Sequence, residues 1–347
     1  MESRTWQKLM SLESRDVVTQ WFLRLHKRDL NARRAKEITA AAKQAREFFR
    51  SSSESAYAVR PLLTFYGVAS LSRALTLLLR KDGGEEGLTR GHGLETVSWS
   101  ETLSGELGQA LSKVGNLTVR TTRGLFEDLI IATENCITMH IRSAAVDWRI
   151  DYDVPPSGQE LRLSDLLDRL PDIADQHKHL QRQTLYARVT PDMTFDFTKG
   201  VSIQIATGNP EPFQSEFAKA GYTVARSGTQ ILLTASSASF HEHTPQFLHS
   251  YVHKAFGSIP DLCVVLELSP EVRYSQIALT YVISYQLGML ARYYPTHWTS
   301  LMAGEKGDSL WPSINAAHHY VEISFPQLVL ELIDDRLARS DAIPTAQ

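Results

Sequence analysis

The sequence predicts a mostly α-helical α+β fold, in which N- and C-terminal helices form one bundle around a smaller strand-containing middle. Three observations lead there. Apolar residues recur at helical spacing before about residue 80 and again after about 274. The stretch between them turns to short β-branched segments punctuated by glycine and proline. The composition, 43% hydrophobic and 22% charged over 347 residues, is that of an ordinary globular chain.

From Ser14 to about Phe49, Val17, Val18, Trp21, Phe22 and Leu25 share a helical face, and "NARRAKEITAAAKQAREFF" is rich in strong helix formers. Two helices are expected there. "SSSES" supplies a break and an N-cap, after which "AYAVRPLLTFYGVASLSRALTLLLR" reads as a helix to Arg80, interrupted near Pro61. It is apolar almost all round, which places it at the centre of the bundle. Gly83 and Gly84 in "KDGGEEG" end it.

The segments "NLTVRTT" and "CITMHIR" read as strands, and "LRLSDLLDRLPDIADQHKHL" as a helix capped by Ser164. "VSIQIAT" is the next strand and "EPFQSEFAKAG" the next helix; "YTVAR" and "TQILLTA" then form a hairpin through Ser227-Gly228. "DLCVVLEL" is a buried strand. Helical spacing resumes over Tyr274–Ala291 and Phe325–Ile333, packing back on the N-terminal helices. The expected domains are therefore a helical part over 1–113, a mixed α/β middle over 114–270 and C-terminal helices over 271–347.

Charge and cysteine usage bound the function. A net charge of -3 means that any contact with nucleic acid is local, not spread over the whole surface. Cys136 and Cys263 sit in apolar stretches and read as small buried hydrophobes. The N-terminus "MESRTWQKLMSLESRD" lacks a signal-peptide pattern, and the run 277–291 carries Ser284, Tyr285 and Gln286. A cytoplasmic protein with no membrane partner is expected.

Six residues carry the candidate chemistry. Arg60 and Arg73 stand in an otherwise apolar helix. A guanidinium buried there needs a carboxylate, a carbonyl or an anionic ligand, because burying it unpaired costs several kcal/mol. The two lie 13 residues apart, within about 60° on a straight helix, so both are expected inside, holding a polar network or an anion. Structural salt bridges to neighbouring helices are the competing reading. His92 lies between Gly91 and Gly93 in "TRGHGL", a turn whose exposed amides, with Arg90, suit a phosphate; a plain structural turn is the alternative. Arg292 and His297 in "RYYPTH" have the Arg-x4-His spacing of some metal-independent ribonucleases.

Other patterns argue against conventional chemistry. Among His241, His243, His249 and His253, the last two share a helix face, but Ser250 stands where a zinc-protease helix places its glutamate and no cysteine completes a ligand set. No metal and no cofactor is expected. "GEKGDS" lacks the order of a phosphate loop, and no nucleophile elbow or dinucleotide fingerprint occurs.

The segments "AYAVRPLLTFYGVASLSRALTLLLR" and "TRGHGL" resemble the pattern of HEPN-type helical domains. Over most of the chain, "YAVRPLLTFYGVASLSRAL", "RGHGL", "TRGLF", "LSDLLDRLPDI", "LGMLARYYPTHW" and "SFPQLVLELI" resemble, in that order, the YaaC-like bacterial proteins. The second resemblance implies the helical α+β architecture and no settled activity. The first implies that Arg292 stabilises charge on a phosphate, that His297 handles a proton and that two subunits build the site. Such a nuclease would be a toxin or phage-defence effector. Against it, Pro295 separates the two residues, starting a new helix after Arg292, and an Arg at a helix end is explained by the dipole. The leading expectation is thus a non-catalytic protein that binds a protein partner, an anionic small ligand or nucleic acid, RNA included, through Arg60, Arg73, Arg90 and His92. A homodimer stays open.

Overall fold

The computed structural model describes residues 4–138, 149–180, 184–189, 194–196, 200–219, 221–236, 263–270 and 272–342. The histidine cluster His241, His243, His249 and His253 lies outside them. The fold is α+β and mostly helical, with antiparallel sheets, and the chain divides into two compact units. The first comprises Met1–Asn135, Pro156–Leu163 and Ile277–Gln347; the second comprises Cys136–Pro155 and Ser164–Gln276.

In the first unit, Ser14 caps the Arg15–His26 helix by accepting from the Val17 amide, and Asn31 caps Ala32–Glu54 by accepting from the Arg34 amide. The three serines at 51–53 continue that helix, which stops only at Ser55. Pro61 likewise does not interrupt the next helix but begins it, at the first turn of Arg60–Leu79, where its missing N–H costs nothing. Position after position of this helix is buried, from Phe65 through Leu78. It is long and apolar enough to cross a membrane, yet 67% of that window is buried inside the fold. A core helix accounts for its hydropathy.

The C-terminal end of that helix is closed by a residue the sequence did not single out. Arg34, 4% exposed, donates to the carbonyls of Leu77, Arg80 and Lys81 and lies over the Phe22 ring. These are the carbonyls that a helix end leaves without amide partners. The helices Gln276–Tyr293, Pro295–Ala303 and Trp311–Ala342 complete the unit. Trp298, 0% exposed, stacks on Tyr57 at 6.0 Å, meets Trp311 edge-on at 5.3 Å and donates its indole N–H to the Tyr57 carbonyl.

A three-stranded sheet of β1 (His92–Val97), β2 (Thr118–Gly124) and β5 (Glu160–Arg162) belongs to the same unit, with β2 central. Buried Gln286 donates its side-chain amide to the carbonyls of Leu117 and Leu161, which ties the Gln276–Tyr293 helix to this sheet. Thus the polar residue that broke the apolar run 277–291 is a sheet anchor.

The second unit contains the short pair β3 (Cys136–Thr138) and β4 (Arg149–Asp151) and a six-stranded sheet. That sheet is ordered β11 (Cys263–Val265), β6 (Tyr186–Val189), β8 (Gly200–Ala206), β10 (Gln230–Ala235), β9 (Thr223–Ser227), with β7 (Thr194–Asp196) also on β8. Ser227 pairs with Gln230, so the expected hairpin forms with Gly228 at φ +61. The single helix expected over 161–180 is instead broken: Glu160–Arg162 is strand, followed by short helical turns at Leu163–Leu167 and Ala174–His177. Pro171 ends the regular pattern there. Both cysteines are buried and neither forms a disulfide.

Candidate functional site

The site grows from an unusual meeting of glycines. His92 opens β1 beside a bulge, flanked by Gly91 at φ +89 and Gly93 at φ +78, and pairs with Gly124 of β2. A Cβ on Gly124 would lie 2.3 Å from the Gly93 nitrogen, so the two strands touch here through backbone alone. The bulge turns His92 from the sheet toward the helices. Its ring meets Phe65 edge-on at 4.9 Å and Tyr285 at 6.1 Å, and its carbonyl accepts from the Tyr281 hydroxyl at 3.0 Å.

Two arginines converge on this ring. Arg292, at the end of the Gln276–Tyr293 helix, donates to the Tyr66 hydroxyl at 2.9 Å. Tyr66 in turn packs on Phe65, the residue against His92. Arg73 acts on His92 from the Arg60–Leu79 helix. Burial first, then the charges of Arg292 and Arg73, hold the His92 imidazole below its ordinary pKa. It is therefore neutral at physiological pH, within the field of two cations.

Arg73 is exposed, which corrects the expectation that it lies in the interior: in a helix buried over 71, 72 and 74–78, it occupies the one sector facing out. Arg90 and Arg123 flank the same strand ends and are also exposed. Among the described residues, none of Arg73, Arg90, Arg123 and Arg292 has a carboxylate within ion-pair distance, whereas Arg28, Arg33, Arg46, Arg60 and Arg120 each do. Arg123 escaped the sequence reading because only the β1–β2 pairing brings it to the "TRGHGL" turn.

Arg60 does not join this group. Its guanidinium forms two bonds to Glu322, Nε to Oε1 at 2.8 Å and Nη2 to Oε2 at 2.6 Å. Glu322 Oε1 also accepts from Ser52 at 2.9 Å. Beneath the pair, His318 is 1% exposed, with Nε2 3.0 Å from the Thr64 hydroxyl and Nδ1 3.1 Å from the Tyr57 hydroxyl. Thr64 has acceptors for its own proton in the Arg60 carbonyl and the Glu322 carboxylate, so His318 donates through Nε2 and accepts from Tyr57 through Nδ1. Burial, against the opposing pull of Glu322, pushes the His318 pKa down to about 4. Burial alone would raise Glu322, but the bonds from Arg60 and Ser52 and the neighbouring charges bring it below the ordinary value.

The "RYYPTH" pair is separated in space. Arg292 ends one helix and His297 lies in the next, which Pro295 starts. The His297 Nε2 bonds the Leu103 carbonyl at 3.1 Å and its ring packs edge-on against Tyr294, while Arg292 turns to Tyr66. The structure brings together Arg73, His92 and Arg292, and leaves Arg60 and His297 in other bonding. No group of three potential metal ligands occurs among the described residues.

Neither a curated protein nor a solved structure matches the chain. A family model described as YaaC-like protein matches residues 10–333 and lends nothing to the local HEPN-type resemblance. That match spans both units and every candidate residue, and the chain belongs to the YaaC-like protein family.

Proposed function

We propose that the protein is a non-catalytic, cytoplasmic binding protein whose basic face around His92 holds an anionic, phosphate-bearing ligand. One observation carries the reading: Arg73 and Arg292, neither with a carboxylate partner among the described residues, both act on the neutral ring of His92. Exposed arginines without carboxylate partners are ready to form charge-assisted bonds, and an arginine fork matches phosphate geometry. A bound anion would offset their field at His92 and raise its pKa from the depressed value, so binding takes up protons and tightens as pH falls into the range where that imidazole titrates.

Calorimetric titration with tripolyphosphate tests this. Arg73→Ala and Arg292→Ala should each weaken binding several-fold, His297→Ala should leave it unchanged, and the heat should vary with buffer ionisation. Absence of binding, or equal binding by the Arg73→Ala/Arg292→Ala double variant, would refute the reading.

A second reading, that the phosphates belong to a single-stranded nucleic acid, is favoured by Tyr293. It is 60% exposed, and the Arg292 guanidinium lies 5.0 Å from its ring centroid. Exposed aromatic rings beside cations are the platforms on which unpaired bases stack, at about 1–3 kcal/mol per base. Under this reading an oligouridylate binds more tightly than tripolyphosphate, and only the oligouridylate is weakened by Tyr293→Ala.

A further inference from the structure

A cavity lies in the helical unit beside the Arg60–Glu322 pair, both of which line it. Its volume is about 440 Å3, within the roughly 300–1,000 Å3 of small-molecule sites. One wall is aromatic: Trp6 and Phe49, with ring centroids 5.2 Å apart. The helix Trp311–Ala342 also lines it, at Ile323, which is 40% exposed, and at Pro326. Proline inside this helix has no N–H to return to the carbonyl of Glu322 four residues earlier, so that carbonyl lacks its usual intrahelical donor.

The charges around the cavity decide what it takes. Arg60 is occupied by both oxygens of Glu322, and Arg46 by both oxygens of Glu13. These four charges cancel and are tied in place. Apart from His319, whose Nδ1 lies 3.9 Å from Glu322 Oε2, two groups are left over. Arg50 spends one of its roughly five donors on Glu47, a carboxylate it shares with Arg46. Glu54, four residues further along the same helix, is exposed and has no bond among the described residues. Both line the cavity, one under-used cation and one unused anion a single helical turn apart.

From this arrangement we infer that the cavity binds an amino-acid-like zwitterion with a large apolar side chain. The side chain lies between the Trp6–Phe49 wall and Ile323, the carboxylate meets Arg50, and the ammonium meets Glu54. A simple anion or cation would leave one of the two rim charges facing its own sign. This site is independent of the basic face around His92, and either can fail without the other.

The test uses the full chain and L-phenylalanine as probe, followed by calorimetry, with N-acetyl-L-phenylalanine and L-phenylalanine methyl ester as controls that each lack one charge. Saturable binding of one L-phenylalanine per chain is expected, several-fold tighter than either control. Glu54→Gln should weaken the free amino acid by roughly two- to five-fold without affecting the acetylated form, and Arg50→Gln should do the same without affecting the ester, as suits partly exposed charge pairs. Both positions are exposed, so the fold survives their change. Ile323→Trp, which fills the cavity from an exposed position, should abolish binding while thermal melting stays cooperative. Lack of saturable binding, equal affinity for all three compounds, or binding that persists in Ile323→Trp would overturn the inference.

Discussion

Acid should destabilise this protein through His318, and the size of the effect follows from its surroundings. In the folded state the ring is 1% exposed and titrates near 4; in the unfolded chain it returns to about 6.5. Between those values the unfolded state binds a proton that the folded state refuses, so stability falls as pH falls. The loss from pH 7 amounts to about 2 kcal/mol at pH 5 and approaches about 3 kcal/mol near pH 4, taking about 1.4 kcal/mol per unit. Glu322 acts in the same direction: its folded pKa is depressed, so its contribution is present above about 4.5 and is lost as pH falls through the lower folded value. Urea unfolding at pH 7 and pH 5 measures the sum over all titrating groups, and the variant His318→Gln isolates the one of interest. Glutamine keeps a donor and an acceptor but no titration, so the pH 7 to pH 5 loss should shrink by about 2 kcal/mol in the variant. Equal losses in wild type and variant would show that the buried ring does not titrate as its packing demands.

Replacing Trp298 by Ala removes a fully buried ring from between Tyr57 and Trp311 and strands the Tyr57 carbonyl, so chemical unfolding should report a loss of about 3–5 kcal/mol. Arg60→Met leaves Glu322 nearly buried with hydroxyl partners only; because the arginine is itself a quarter exposed, a loss near the lower end of about 3–5 kcal/mol is expected, and a melting curve equal to wild type would refute the pairing argument. Gly124→Ala forces a side chain to within 2.3 Å of the Gly93 nitrogen at φ +153, so it should unfold the β1–β2 contact and abolish tripolyphosphate binding together with stability, detectable as a lowered melting temperature.

What the sequence made legible follows from what periodicity can encode. The Arg60–Leu79 helix was readable because its neighbours bury it on nearly every side, and the β9–β10 hairpin because Ser227-Gly228 sits between the strand-like segments "YTVAR" and "TQILLTA". Strand β1 was not readable. Its six residues show no alternation, since the burial along "HGLETV" clusters at Gly93 and Leu94, and it is a strand only because β2 lies beside it. Arg34 was hidden for a related reason: within "NARRAKE" it looks like one of several solvated cations, and only the arrival of a helix end 43 residues later gives it carbonyls to hold.

The same distinction governs the candidate site. "RYYPTH" presents an arginine and a histidine at a suggestive spacing, but sequence spacing fixes spatial spacing only within one unbroken element. Pro295 breaks the element, and the two side chains are then claimed by different neighbours, Tyr66 and the Leu103 carbonyl. Once the local geometry is released in this way, Arg292 becomes free to combine with residues far away in the chain. It meets the surroundings of His92, 200 residues earlier, because the Gly91–Gly93 bulge turns that ring toward the helices and Tyr66 bridges the gap. Each partner carried its own local mark, glycines around the histidine and a helix-terminal position for the arginine. The mark they share, two arginines without carboxylates among the described residues whose charges reach one neutral imidazole, exists only in the folded chain, which is why the spacing within "RYYPTH" did not announce it.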